Sequence, residues 1–179
     1  MNGTACIQEM GQLVIPDAAV SMTASTAVTS SYINMVGAEI LECILWLAAS
    51  VAGATSVGTI EIMAASDASG TGAVAVKFSD LFKTIGATTI KQGTGLPTRI
   101  EQLTAGVRTA LASFSTLAAD GDKQQLFVIP IRARQLPTGK PYVAVRFTAG
   151  SATARNGLVA FLRRDTLYGA APHNTSIFA

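Results

Sequence analysis

The residues that most chemistry requires are scarce in this chain. Of 179 residues one is histidine, His173, and two are cysteine, Cys6 and Cys43. Zinc sites need clustered Cys and His ligands, and three such residues scattered along the chain supply no cluster. The two cysteines give no disulfide framework either. Cys43 stands inside an apolar run and reads as a buried free thiol, which suits assembly in a reducing cytoplasm, while one bond between the two stays open. A Ser-His-Asp triad would need His173 fixed by a carboxylate. Asp165 and Ser176 are near it in sequence, but a tail containing Gly169, Pro172 and Asn174 gives them no rigid frame.

The nucleotide and calcium signatures are missing as well. Gly139-Lys140-Pro141 puts proline where a phosphate loop has Ser or Thr. Gly70-x-Gly72 lacks the third glycine of a dinucleotide fingerprint, and no Gly-x-Ser-x-Gly elbow occurs. Asp120-Gly121-Asp122 offers two carboxylates, too few for an EF-hand loop. The eleven acids fall mostly on apparent turns and outward strand faces, so no pair suggests sugar hydrolysis. The expectation is a protein that is not an enzyme and has no catalytic, cofactor-binding or metal residue.

Charge is the third shortage. Charged residues make up 13% of the chain, against roughly 25% in ordinary soluble domains. So little charge protects a lone monomer poorly against association, and predicts a surface largely covered by partners. A net charge of +2 is too small to argue for nucleic acid, and 6% aromatics leaves little for base-stacking or sugar-stacking platforms. Met1 to Gly11 lacks the basic region and apolar core of a signal peptide. The longest apolar stretch, 40–54, is interrupted by Glu42 and is too short for a membrane span. No nucleic-acid or membrane partner is expected.

What the chain does have is alternation. Apolar residues reach 49%, and they recur with period two. Ile60, Ile62 and Ala64 share one face and Thr59 and Glu61 the other; Val143, Val145 and Phe147 alternate with Arg146 and Thr148. This is the pattern of antiparallel sheets with one wet face. Residues 39–49 are apolar in both phases, which predicts a central strand buried on both sides with Trp46 as a core anchor. Further strands are expected at 12–15, 31–36, 74–78, 124–132 and 158–164. Turn residues at 67–72 and 120–122 separate them, and Pro130 marks an edge strand or a bulge.

One stretch breaks the rhythm. Ile100, Leu103, Val107, Leu111 and Phe114 recur at helical spacing, and Thr98-Arg99-Ile100-Glu101 has the form of a capping box. Residues 79–115 therefore read as an insertion with a short helix, weakened at Gly106 by about 1 kcal/mol. Residues 1–30 read as an N-terminal arm with the first strand, 31–167 as the β-sandwich domain, and 168–179 as a C-terminal tail. The tail ends in Ile177-Phe178, an apolar plug that makes sense if it docks on a neighbour. Arg163 and Arg164 form a small basic cluster, either a solvated strand end or a contact for an acidic partner. Arg163, Arg164, Tyr168, Ile177 and Phe178 are the candidate contact residues. The expected fold is all-β: an antiparallel β-sandwich or jelly-roll-like barrel with extended arms.

The order of segments resembles a known family. Ser31-Tyr32-Ile33-Asn34-Met35, then 39–49, a Gly-Ala-Thr turn at 53–55 and 57–66 are similar to the capsid decoration (cement) proteins of tailed bacteriophages. So are Asp120-Gly121-Asp122-Lys123-Gln124-Gln125, Arg132-Ala133-Arg134-Gln135-Leu136, residues 140–147 and the closing block 158–171. The likeness covers about two-thirds of the chain outside 79–115 and lies in pattern and spacing. The resemblance implies a sandwich on the outside of a phage head, assembled in the bacterial host cytoplasm. It also implies the major capsid protein as partner and a trimer or dimer that bridges capsomers. The insertion at 79–115 and the long tail depart from the simple pattern. Two other expectations stand beside it: a head-completion or tail subunit, and a glycan- or receptor-binding β-sandwich.

Overall fold

The computed structural model describes residues 12–17, 20–22, 26–49, 58–86, 98–104, 107–116, 122–150 and 155–165. Among them the strands in chain order are β1 (Gln12–Val14), β2 (Val20–Met22), β3 (Ala27–Thr29), β4 (Ile33–Asn34), β5 (Ala38–Leu47), β6 (Gly58–Ala65), β7 (Val74–Val76) and β8 (Asp80–Gly86). They continue with β9 (Thr98–Glu101), β10 (Leu103–Thr104), β11 (Val107–Arg108), β12 (Ser113–Ser115), β13 (Gln124–Arg132), β14 (Tyr142–Ala149) and β15 (Arg155–Asp165). One 3₁₀ turn, Ala133–Gln135, follows β13.

The strands form two antiparallel sheets, the all-β sandwich that the alternation predicts. In the seven-stranded sheet the order is β1-β15-β5-β13-β8-β9, with β2 also on β15. In the six-stranded sheet it is β12-β6-β14-β3, with β4 also on β14 and β7 on β6. The chain changes sheet between β5 and β6, between β13 and β14, and again into β15, so each sheet is closed by residues distant in sequence. Between the sheets lies the core. Leu41, Cys43, Leu45, Leu47, Phe127, Ile129, Ile131 and Phe161 from one side meet Ile60, Ile62, Val143, Val145 and Phe147 from the other. Each such side chain contributes roughly 1.5–3 kcal/mol by leaving water. Cys43 is buried there as expected, and burial pushes its thiol well above the ordinary thiol range.

Turn chemistry sets the connections. Asp67 Oδ1 accepts from the amides of Ser69 (2.9 Å) and Thr71 (3.1 Å), an Asx turn that reverses the chain after β6. A hydrogen bond from the Thr71 side chain first, and then the backbone bonds of Thr71 and Ser69, hold the Asp67 carboxyl below its usual range. Gly70 takes φ +84° there, and a Cβ on it would stand 2.7 Å from the Tyr32 ring.

Three expectations are corrected. The first is the short helix in 79–115. Thr98–Glu101 is β9, paired with β8 as Asp80↔Glu101 and Lys83↔Thr98. Leu111 bridges Phe78, and Ser113–Ser115 pairs with β6 in the other sheet. The described part of the segment is thus woven into both sheets, because sheet pairing outweighs a weak helical spacing in a Thr- and Ser-rich stretch. Residues 87–97 and 105–106 lie outside the described set.

The second correction concerns β5. Its burial alternates, with Leu41, Cys43, Leu45 and Leu47 inside and Ile40, Glu42, Ile44 and Trp46 only half-buried. Trp46 is therefore on the outward face and no part of the core. The third, on Pro130, is partial: β13 runs between β5 and β8, yet at Pro130 itself it is a local edge. Its pairing with β5 passes through Pro130↔Glu42, whereas pairing with β8 stops at Val128. The missing N–H falls where that neighbour has ended. Finally, β2 and β3 lie in 16–30, which showed no pattern in sequence; both are three-residue strands held by their neighbours.

Candidate interaction surface

The outward face of the seven-stranded sheet is apolar across its centre. Opposed residues of an antiparallel pair share a face, so the registers place side chains in rows. Leu158, Trp46 and Leu126 form one row, ending at Thr84. Ala160, Ile44, Val128 and Phe82 form the next, ending at Arg99. Leu13, Leu162, Glu42 and Pro130 follow, then Arg164, Ile40 and Arg132. At ordinary strand spacings this apolar field measures about 20 Å by 20 Å, roughly 400 Å². Its central residues are half-buried, and Leu13 is 41% exposed. Among the described residues no second layer of strands packs on it.

The charge on this face is arranged to be quiet. Glu42, in its third row, is neutralised by Arg164, whose Nη2 lies 2.7 Å from Glu42 Oε1. Arg163 points the other way, and its Nη2 donates to the Val36 carbonyl at 2.7 Å. The two arginines singled out in the sequence are thus separated by the pleat, and each is engaged within the chain. Tyr168, Ile177 and Phe178 lie outside the described residues.

A second feature borders the fourth row. A cleft of about 390 Å³ is lined by Ile40, Phe78 and Pro130, by Ser79 and Asp80, and by Arg108, Arg132, Arg134 and Gln135. Asp80 is shared: it accepts from Arg99 through Nε (3.2 Å) and Nη2 (2.8 Å), and from Arg108 Nη2. Arg99 also lies 3.1 Å from Glu101. Arg132 caps the 3₁₀ turn and Arg134 lies within it, and Gln135 braces the turn by accepting from the Arg132 amide at 2.7 Å and donating to the Lys77 carbonyl at 3.4 Å. Among the described residues no carboxylate reaches either guanidinium.

The sequence reading missed both features. Its signal for the apolar field was the two-phase apolarity of 39–49, read as burial on both sides. Arg132 and Arg134 gave no chemical signal, since Arg108, on β11, meets them only in the folded cleft that Asp80 of β8 also lines. Among the described residues no group of three His, Cys, Asp or Glu side chains could hold a metal ion, and no helix is long and apolar enough to cross a membrane.

No family model and no curated protein matches the chain. Among solved structures it is similar to a chain in the structure of infectious bursal disease virus, Gt strain. The identity is 14% and the TM-score 0.27 over 87% of this chain. The alignment covers 40% of that longer chain. A superposition this loose carries no argument about descent or role.

Proposed function

We propose that the chain is a structural virion protein of the capsid decoration kind. It binds the outer surface of a phage shell, with the major capsid protein as partner, and stabilises the shell by bridging capsomers as a trimer or dimer. The single observation that carries the reading is the apolar field on the outward face of the seven-stranded sheet. A field near 400 Å² with its one carboxylate neutralised is at the size that marks interaction sites on soluble proteins. The low charge of the whole chain points the same way, as does the resemblance of its segment order to phage decoration proteins. The reading assigns the chain no catalytic step and no cofactor.

Such a protein acts by mass action. It binds the expanded shell and not its precursor, so the bound form gains stability with every occupied site. Repeated contacts across several capsomers multiply individually weak ones through effective concentration. β1, β2 and β3 tie the described part of residues 12–29 into the chain's own sheets, so in this proposal it is the tail at 168–179, with Tyr168, Ile177 and Phe178, that extends those contacts to neighbours.

The test is co-sedimentation of the purified chain with expanded and unexpanded phage shells. Saturable binding to expanded shells alone is the expected result. Formation of rings or tubes without a shell would replace the reading by a head-completion or tail subunit, and binding to neither shell would remove it.

A further inference from the structure

From the arginine-lined cleft beside the fourth row, we infer that the protein takes an acidic side chain, Asp or Glu, from a segment of the protein that covers its apolar face. Three guanidiniums, those of Arg108, Arg132 and Arg134, line the cleft with a single carboxylate among them, Asp80, a local surplus of two positive charges. That carboxylate is already divided between Arg108 and Arg99, the latter outside the lining. Arg132 and Arg134 have no carboxylate among the described residues to share.

The geometry fits a carboxylate on a peptide. Guanidinium groups present planar forks that match an oxyanion in bidentate fashion. Arg132 and Arg134 stand on a backbone turn braced by Gln135, so holding them in place costs less on binding. A volume of about 390 Å³ admits one or two side chains and no folded element. Ile40, Phe78 and Pro130 give the cleft an apolar wall, and Ile40 and Pro130 belong to the apolar field itself. A segment laid along the field therefore carries its acidic residue into the cleft with an apolar neighbour against that wall. A nucleic-acid phosphate would instead call for a basic stripe, which a chain of net charge +2 does not have. That the segment belongs to a capsid subunit rests on the preceding proposal; the carboxylate chemistry does not.

The full chain, labelled with ¹⁵N, is titrated with acetyl-Leu-Glu-Leu-amide while the arginine Nε–H signals are followed by NMR. The same titration is run with acetyl-Leu-Gln-Leu-amide and with inorganic phosphate. Saturable shifts at Arg132 and Arg134 are expected with the Glu peptide, at least tenfold weaker with the Gln peptide, and lost in high salt. Phosphate binding as tightly as the Glu peptide would make this a phosphate site and overturn the inference. So would equal response to the Glu and Gln peptides, or no response at all. In a second arm, the R132Q/R134Q chain is compared with wild type for co-sedimentation with expanded shells. At least a tenfold loss of affinity with unchanged circular dichroism supports the inference, and unchanged affinity overturns it for the shell contact. If wild type binds no shell, the decoration reading fails, and the peptide titration still decides the cleft.

Discussion

Gly58 opens β6 directly against the Phe147 ring: a Cβ there would lie 2.2 Å from Cζ and 2.5 Å from Cε2. Phe147 is itself in the core, so it has little room to yield. Gly58→Ala should lower stability by about 1–3 kcal/mol through overpacking, measured as a fall in the denaturant midpoint at constant slope. The neighbouring bonds fix the same spot, since Gly58 N–H donates to Thr116 Oγ1 at 2.8 Å. Cys43 gives a second prediction at this scale. Burial raises its thiol far above the ordinary value, so the folded chain keeps a proton that the unfolded chain sheds once pH passes the usual thiol range. Unfolding then releases protons, and stability falls as pH rises. Between about pH 9 and about pH 10 the wild type should lose about 1 kcal/mol more than Cys43→Ala. Equal slopes in urea titrations at the two pH values would refute this.

Strands are tied together by a few polar clasps, and Arg155 is the most buried among the described residues. It opens β15, is buried, and donates from Nε and Nη2 to the Ala48 carbonyl (3.1 and 2.8 Å) and from Nη2 to the Lys123 carbonyl (2.9 Å). Those carbonyls lie just after β5 and just before β13, so one guanidinium closes three strand ends. Arg155→Ala leaves both acceptors without it and should cost about 2–4 kcal/mol, seen as a lowered melting temperature. At the same scale Thr98 separates two descriptions of residues 98–115. As the cap of a helix, its loss would cost about 1 kcal/mol. As an exposed residue of β9 paired with Lys83, Thr98→Ala should stay within about 0.5 kcal/mol of wild type. The long strands were legible because Thr59–Ile62 of β6 and Val145–Thr148 of β14 alternate apolar with polar, and because β5 and β13 are long apolar runs. The short ones were not, because three residues such as Ala27–Thr29 carry no period and are strands only through their partner β14. The helical spacing from Ile100 to Phe114 misled for the same reason: Phe114 packs on the Phe127 ring at 6.0 Å through sheet pairing with β6.

Across the whole molecule the two faces of the seven-stranded sheet differ in kind. The inward face is sealed by the second sheet, whereas Trp46, Leu126, Val128 and Leu158 form an outward field with nothing described layered on it. In the sequence both phases of β5 and β13 look equally apolar, and only the arrangement of sheets tells the sealed phase from the open one. Arg163 and Arg164, singled out in the sequence, are each bound within the chain, and the fold adds the apolar field beside them as a further surface. A charge placed in the middle of the field tests the consequence. Val128→Lys keeps a long aliphatic stem over the sheet and sends its ammonium outward, so the fold should lose no more than about 1 kcal/mol. The same ammonium must be desolvated when any apolar partner covers the field, at a cost of several kcal/mol. Wild type should therefore self-associate with rising concentration in sedimentation velocity runs, more strongly in sulfate, which favours apolar burial. Val128→Lys should sediment as the smaller species throughout. Matching profiles for the two proteins would mean that the field is not the contact and that another surface of the chain joins its partners.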